Sequence, residues 1–282
     1  MPEGPEMRRA ADALDKVLRG ERIRHAWFKF PRLAEAARRF EGQRVDGVEA
    51  RGKALIVCFE DGSAVYTHNQ LYGKWLIGPA GQRPETTRDL RFALETDRHA
   101  ALLYSASDIE LLRTDELGQH PYISRLGVEL LARGTTVDAV LAQVDDPRFA
   151  RRPLGALLLD QGFLAGVGNY LRSEILFVAG LHPDAKPAML GAARRRRLAQ
   201  AALSITRRAY RTGGITSSPS LAARLRREGV SRGQYRHFVF ARQGTNCHRC
   251  ESPDSVQRVV HGGRQLYLCS VCQPAPCAPE AP

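Results

Sequence analysis

The sequence predicts an α+β multidomain protein: an N-terminal β-sandwich with flanking helices, then a helical domain ending in a four-cysteine β-hairpin finger. Three observations carry this. An amphipathic helical pattern opens the chain, and short apolar runs broken by turn residues fill positions 22 to 105. Beyond about 133 the helical period returns, until two Cys-x-x-C pairs appear near the end. At 282 residues the chain has room for two cores. With 43% apolar and 26% charged residues it reads as soluble and globular. No apolar run approaches a membrane span and no signal-peptide core follows the charged N-terminus, so an intracellular protein without a membrane partner is expected.

Taken in order, Pro5 to Gly20 is the first helix. Met7, Ala10, Ala11, Leu14, Val17 and Leu18 share one face, Pro5 suits the first turn and Gly20 the stop. Strands are expected at Ile23–Phe30, Arg44–Ala50, Ala54–Phe59, Ser63–Thr67, Lys74–Ile77, Leu90–Leu94 and Ala100–Tyr104, with a helical stretch within Ala34–Phe40. Asp108–Leu112 reads as a helical turn and His120–Leu131 as a short helix. A linker falls near Arg133–Thr136. Helices follow at Val137–Val144, Pro153–Gln161, Asn169–Ala179 and Ala188–Tyr210.

Between the second and third of these lies Gly162-Phe-Leu-Ala-Gly-Val-Gly168-Asn169. Two tight turns of this kind bring helices together so that backbone N–H groups can reach a phosphate, with Asn169 opening the next helix. Thr212–Gly233 reads as a mobile basic loop, Phe238–Cys272 as a β-hairpin holding a metal, and 274–282 as a disordered tail. The predicted domains are therefore 1–132, 133–237 and 238–273, followed by that tail.

The net charge of +12 sits in one half. Residues 1–141 carry 21 Lys/Arg and 21 Asp/Glu; subtracting from the totals of 42 and 30 leaves 21 and 9 for residues 142–282. A GC-rich genome accounts for writing Arg in place of Lys, but not for missing carboxylates. The asymmetry points to a polyanion partner. Cys247-x-x-Cys250 and Cys269-x-x-Cys272, eighteen residues apart, have the spacing of a tetrahedral four-thiolate site, one structural zinc ion. Four thiolates leave no open position for catalysis. Cys58 lies in the apolar run Ala54–Phe59 as a core thiol, and Cys277 has no partner spacing.

The chain opens Met1-Pro2-Glu3. With Met1 removed, Pro2 presents a secondary amine able to attack a sugar aldehyde carbon and form an iminium. Its place before a helix N-terminus disfavours the protonated amine. Glu3 stands next to it as a proton donor or acceptor. The active form is accordingly expected to lack Met1, because an acylated Pro2 nitrogen is an amide. Many chains carry proline at position two without any such role, so the motif gains meaning only from context.

That context is the fixed order of an N-terminal Pro-Glu on a helix, a β-rich half, a helix–two-turns–helix segment and a four-cysteine finger. Together these resemble the formamidopyrimidine-DNA glycosylase/endonuclease VIII family. Met1–Glu6, Arg51-Gly-Lys53-Ala-Leu55, His68-Asn-Gln-Leu-Tyr-Gly73, Tyr104–Glu110, Leu158-Leu-Asp-Gln161 and Gly168-Asn-Tyr-Leu171 look most like the endonuclease VIII branch. The resemblance spans nearly the whole chain except about 212–237 and the tail.

The resemblance implies a bifunctional DNA glycosylase and abasic-site lyase acting on damaged double-stranded DNA, a monomer in the bacterial cytoplasm, on the nucleoid when bound. It implies Pro2 as Schiff-base nucleophile, Glu3 as acid/base, Lys53 as second proton donor and Arg264 as a phosphate grip tied to elimination. Lysine at 53 suits proton exchange in a way arginine does not. Asn169 and Arg125 match backbone-phosphate contacts. Gln70, Leu71 and Tyr72 match the residues that fill the gap left by an extruded nucleotide, where an amide can pair with the orphan base and apolar groups wedge the stack. Glu6 is a further candidate near the nucleophile; Asp160 and Glu174 are expected as supporting carboxylates. Two other readings stay open, an oxidised-purine glycosylase and a non-catalytic zinc-containing DNA-binding protein.

Overall fold

The computed structural model describes residues 2–70 and 72–276. The chain divides into two compact units, Met1–Arg125 and Leu126–Pro282.

In the first unit, α1 (Gly4–Leu18) starts with Pro5 in its first turn and buries Met7, Ala11, Leu14 and Leu18, the predicted face. Then come β1 (His25–Phe28), the one-turn helices α2 (Pro31–Ala34) and α3 (Ala37–Phe40), β2 (Val45–Arg51), β3 (Ala54–Phe59), β4 (Ser63–His68), β5 (Lys74–Pro79), β6 (Leu90–Glu95), β7 (His99–Tyr104) and β8 (Asp108–Arg113). They form two four-stranded antiparallel sheets, ordered β2-β3-β4-β8 and β1-β6-β7-β5. Leu55, Val57, Val65 and Ile109 of one sheet share a core with Phe28, Trp75, Phe92, Leu94 and Leu103 of the other and with α1. That is the expected sandwich.

The turn expected at 108–112 is instead strand β8, paired along all of β4. Ile109 and Leu111 face the core while Leu112 faces the other side, a period of two where a helical turn was expected. The helix expected over 120–131 is also absent. A 3-10 turn at Ile123–Arg125 gives way to the short strand β9 (Val128–Glu129). Gly127 there runs against the two-turn segment, where an added Cβ would lie 2.3 Å from the Gly162 carbonyl oxygen.

The second unit begins with that strand, which pairs in parallel with β10 (Leu164–Ala165). This pairing moves the division to 125/126, ahead of the expected linker at 133–136. The helices are α4 (Val137–Asp145), α5 (Leu154–Leu157), α6 (Asn169–Ala179), α7 (Ala192–Thr212), α8 (Pro219–Arg227) and α9 (Arg232–Tyr235). The expected helix 153–161 is cut short because the Asp160 carboxylate accepts the Gly162 N–H at 2.8 Å, an interaction that competes with helix continuation. The expected basic loop at 212–233 holds α8, capped by Ser218 through the Leu221 N–H at 3.2 Å. Ala222, Leu225 and Tyr235 form a small core beneath it.

The finger hairpin is β11 (Val256–His261) and β12 (Arg264–Cys269). Only 256–269 of the expected 238–272 span is strand. Nor is the finger a separate body: Leu266 and Leu268 belong to the same core as α4, α6 and α7. Residues 277–282 of the predicted tail, Cys277 among them, lie outside the described residues.

Candidate active site

On the first unit, Pro2 is half-buried immediately before α1. Glu3 is its N-cap residue and is buried at 2% exposure. Glu6 Oε2 accepts the Glu3 N–H at 3.0 Å, part of a capping box that fixes the backbone just after Pro2. Glu6 thereby orients the start of the helix. The β2–β3 hairpin, packed under α1, closes through the two-residue turn Gly52-Lys53 with Arg51 and Ala54 paired. The Lys53 N–H donates to the Tyr122 hydroxyl at 2.9 Å. Tyr122, which sequence reasoning missed, comes from the segment covering the back of that sheet.

The loop after β4 is closed by the Gly73 N–H donating to the Asn69 carbonyl at 2.7 Å. Only glycine fits at 73, since a Cβ would lie 2.6 Å from both Asn69 Cα and Asn69 O. Gln70 is exposed with φ of 49°, the left-handed region that non-glycine residues seldom adopt. The Ser107 hydroxyl donates to its side-chain oxygen at 2.9 Å. The Gln70 N–H donates to His68 Nδ1 at 3.2 Å, which requires that nitrogen to be unprotonated. Burial holds His68 below the ordinary histidine value, against the upward pull of Asp108. Tyr72 is 71% exposed, a large aromatic held out from the surface. Leu71 lies outside the described residues. Arg125 is exposed at the end of the unit, its Nε donating to the Pro121 carbonyl at 2.6 Å.

On the second unit, Gln161 stitches the two turns. Its amide nitrogen donates to the Leu159 and Val167 carbonyls at 3.1 and 2.9 Å, and its oxygen accepts the Gly166 N–H at 3.0 Å. Asn169 is the first residue of α6 after the cap Gly168. Asp160 accepts from Arg152 at 2.6 Å as well as from Gly162, and so supports these turns.

Three consecutive polar residues of α6 are fully buried. Arg172 donates to Asn169 Oδ1 at 2.6 Å and to the carbonyls of Gly155 at 2.8 Å, Gln265 at 3.0 Å and His261 at 3.3 Å. Ser173 Oγ accepts the Tyr267 N–H at 3.2 Å. Glu174 accepts the N–H groups of Phe238 at 2.8 Å, Val239 at 2.8 Å and Phe240 at 3.0 Å, and the Thr216 hydroxyl at 2.6 Å. Burial pushes the Glu174 carboxyl up, and those four donors pull against it. Asn169 and the hairpin turn bearing exposed Arg264 are thus fixed to one another through Arg172. The other wall of the turn is His261, whose Nε2 lies 3.0 Å from Asp184 Oδ1. A helical period reads Arg172 and Ser173 as ordinary surface residues, so nothing in the pattern singles them out.

The sulfurs of Cys247, Cys250, Cys269 and Cys272 lie within 4.8 Å of one another. The Cys247–Cys272 and Cys250–Cys269 separations are 3.9 and 3.7 Å. A tetrahedron with metal–sulfur arms of about 2.3 Å has edges of about 3.8 Å. The Arg249 N–H points at Cys247 Sγ at 3.3 Å and the Cys272 N–H at Cys269 Sγ at 3.4 Å, donors that favour thiolate. The four cysteines therefore fit a metal ion. Buried Gln273 fastens the second knuckle, accepting the Cys269 N–H at 3.0 Å and donating to the Leu181 carbonyl at 2.8 Å.

Among the described residues no helix is long and apolar enough to cross a membrane. Residues 1–107 match the family model of the formamidopyrimidine-DNA glycosylase N-terminal domain, and residues 126–220 that of its H2TH domain. Endonuclease 8 of Enterobacter sp. (strain 638) is 42% identical over 273 residues, covering 97% of this chain and 100% of that protein. Endonuclease 8 of Pectobacterium atrosepticum is 43% identical over 274 residues with the same coverage. Among solved structures, Lactococcus lactis formamidopyrimidine-DNA glycosylase on DNA containing an abasic site superposes with a TM-score of 0.77 at 21% identity, covering 97% of this chain and 100% of that one. Its complex with DNA carrying N7-benzyl-Fapy-dG gives 0.78 at 21% identity and the same coverage. The solved structures share the fold; full-length identity above 40% with the endonuclease 8 proteins carries the kinship. The chain belongs to the formamidopyrimidine-DNA glycosylase/endonuclease VIII family of DNA-repair glycosylases and lyases.

Proposed function

We propose that this glycosylase/lyase removes oxidised pyrimidines from double-stranded DNA through a Schiff base on Pro2. The observation that carries the reading is the Pro2–Glu3 junction, a secondary-amine residue ahead of a capped helix with a buried carboxylate next to it. The Pro2 nitrogen bonds to C1′ as the bond from C1′ to the base breaks, and the base leaves with a proton. Glu3 passes a proton to the ring oxygen, the sugar opens, and the nitrogen lone pair completes the iminium. Loss of the C2′ proton expels the 3′ phosphate. Loss of the C4′ proton then expels the 5′ phosphate, and hydrolysis frees the enzyme. Lys53, on a turn pinned by Tyr122, is the second proton donor.

Gln70, Leu71 and Tyr72 fill the gap in the duplex, while Asn169, Arg125 and Arg264 hold phosphates. One zinc ion on Cys247, Cys250, Cys269 and Cys272 shapes the finger and takes no part in bond breaking. The enzyme acts as a monomer in the cytoplasm. The Gln70-Leu71-Tyr72 triplet favours pyrimidine over purine lesions, and a lesion panel decides between them.

Borohydride reduction with lesion-bearing duplex is expected to trap the protein on DNA through Pro2. A normal yield of trapped Pro2→Gly protein, mapped to another residue, overturns the mechanism. The reaction also requires a Pro2 nitrogen free of Met1, so mass spectrometry finding Met1 retained on fully active protein contradicts it.

A further inference from the structure

We propose that α8 and the arginines around it form an accessory phosphate-binding platform, which holds the backbone of duplex DNA independently of any lesion. The inference rests on the reading of the chain as a DNA enzyme, and concerns a segment to which that reading assigned no role. Residues 211–242 contain Arg211, Arg224, Arg226, Arg227, Arg232, Arg236 and Arg242, against the single acid Glu228. Glu228 is engaged by Arg224 at 3.1 Å. Arg211, Arg226 and Arg227 are exposed. Arg224, Arg226 and Arg227 lie together in the last turn of α8, where cations complement the helix dipole, so the helix carries a concentrated positive end that one acid only partly offsets.

The segment is built to hold those charges in place. Ser218 caps α8, Pro219 occupies its first position, and Ala222, Leu225 and Tyr235 pack beneath, with Ile215, Leu221 and Val230 at the margin. Arg232 closes the base by donating to the Gly213 carbonyl at 2.7 Å. Exposed side chains on such a mount reach outward with less ordering cost than they would from a mobile loop.

Its root is fixed to the start of α6. Thr216 donates to Glu174 Oε2, and His237 Nδ1 lies 2.8 Å from the Thr216 hydroxyl. The His237 ring packs on Tyr170, the residue after Asn169, with centroids 5.3 Å apart. The platform therefore shares its support with the helix N-terminus that the two-turn segment presents. Arginines on such a support suit a sugar–phosphate backbone, which they grip by charge without reading bases.

The test compares the full-length protein with the triple variant Arg211→Gln, Arg226→Gln, Arg227→Gln on undamaged duplex, titrated between 50 and 200 mM KCl. Each lost phosphate contact removes about 0.9 from the slope of log affinity against log salt. Loss of two or three contacts is expected to lower the slope by about 1.8 to 2.7, so that over this fourfold span affinity becomes up to about 40-fold less salt-sensitive. Single-turnover cleavage of an abasic-site duplex at saturating protein is expected to stay at the wild-type rate. The corresponding triple Lys variant, which keeps the charge, is expected to restore the slope. An unchanged slope in the Gln variant overturns the platform, as does a Lys variant that behaves like Gln. Wild-type protein that fails to cleave abasic duplex sinks the enzyme reading instead, and leaves the slope comparison standing.

Discussion

Glu174→Gln tests whether the buried carboxylate organises the second unit. Oε1 accepts from Val239 and Phe240 and Oε2 from Phe238 and the Thr216 hydroxyl, so every group facing the carboxylate donates. An amide must turn its NH2 toward one pair. The less costly choice is the Thr216 side, because the hydroxyl can reverse and donate to the Arg236 carbonyl, 3.1 Å away. The Phe238 N–H is then left buried and unpaired, which costs about 1–3 kcal/mol, and the remaining bonds lose their charge assistance. A total of about 2–4 kcal/mol is expected. At about 2–4 °C per kcal/mol for a unit of this size, calorimetry at neutral pH should show its transition lowered by roughly 5–15 °C. A shift below about 2 °C would mean that the folded protein holds Glu174 as the neutral acid, and that the account of the network is mistaken.

The remaining predictions concern other parts of the molecule. Burial, with the charges of Arg236 and Arg232 adding to it, lowers His237 to about 3. Its unfolded value is near 6.5, so the unfolded chain takes up a proton that the folded protein refuses. That contribution is whole above about pH 6.5 and declines by about 1.4 kcal/mol per unit as the pH falls toward 3. Denaturant titrations of His237→Gln should show a flatter pH dependence; an identical slope would remove His237 from the explanation. Gly73→Ala places a Cβ on the Asn69 backbone, and should cost about 2–4 kcal/mol or displace the 69–73 loop. Unaltered melting together with an unaltered crystal structure of the loop would refute that. Lys53→Ala is expected to slow base release by about 10²–10⁴-fold in single-turnover assays while duplex affinity changes little; a wild-type rate rules out Lys53 as a proton donor. Metal analysis should find one zinc per chain. Cys250→Ser or chelation is expected to abolish it and weaken DNA binding, and full affinity without metal would show that the finger does not need the ion.

Much of the first unit was legible because its chemistry is local. The face of α1 follows a 3.6 period, and β3 fell at its predicted limits because Ala54–Phe59 is apolar between turn residues. Lys53 and Gln70 could be named as candidates because their neighbours form short contiguous motifs. Pairing between distant segments was the part that escaped. Strand β8 is a strand because β4 offers it a partner, and Tyr122 reaches Lys53 across 69 positions. Conformation at 108–112 is decided by that tertiary neighbour, since its local pattern fits a turn as well as a strand.

One helix does much to tie the finger to the rest of the second unit. Period-based reading assumes that polar residues on a helix face water, yet α6 buries Tyr170 through Phe177 without a break. Its three interior polar residues each reach a different part of the finger or its approach. Arg172 takes the carbonyls flanking the hairpin turn, Ser173 takes the Tyr267 N–H on β12, and Glu174 takes the N–H groups leading into the finger. A buried arginine and carboxylate are tolerable only if their partners are in place, because unpaired they would cost several kcal/mol each. Helix and finger must therefore order together. The hydrophobic core spanning both, with Leu266 and Leu268 among the α4, α6 and α7 side chains, enforces the same coupling. Disturbance at the cysteines should accordingly be felt at Asn169, through Arg172, before any residue of the finger itself meets DNA.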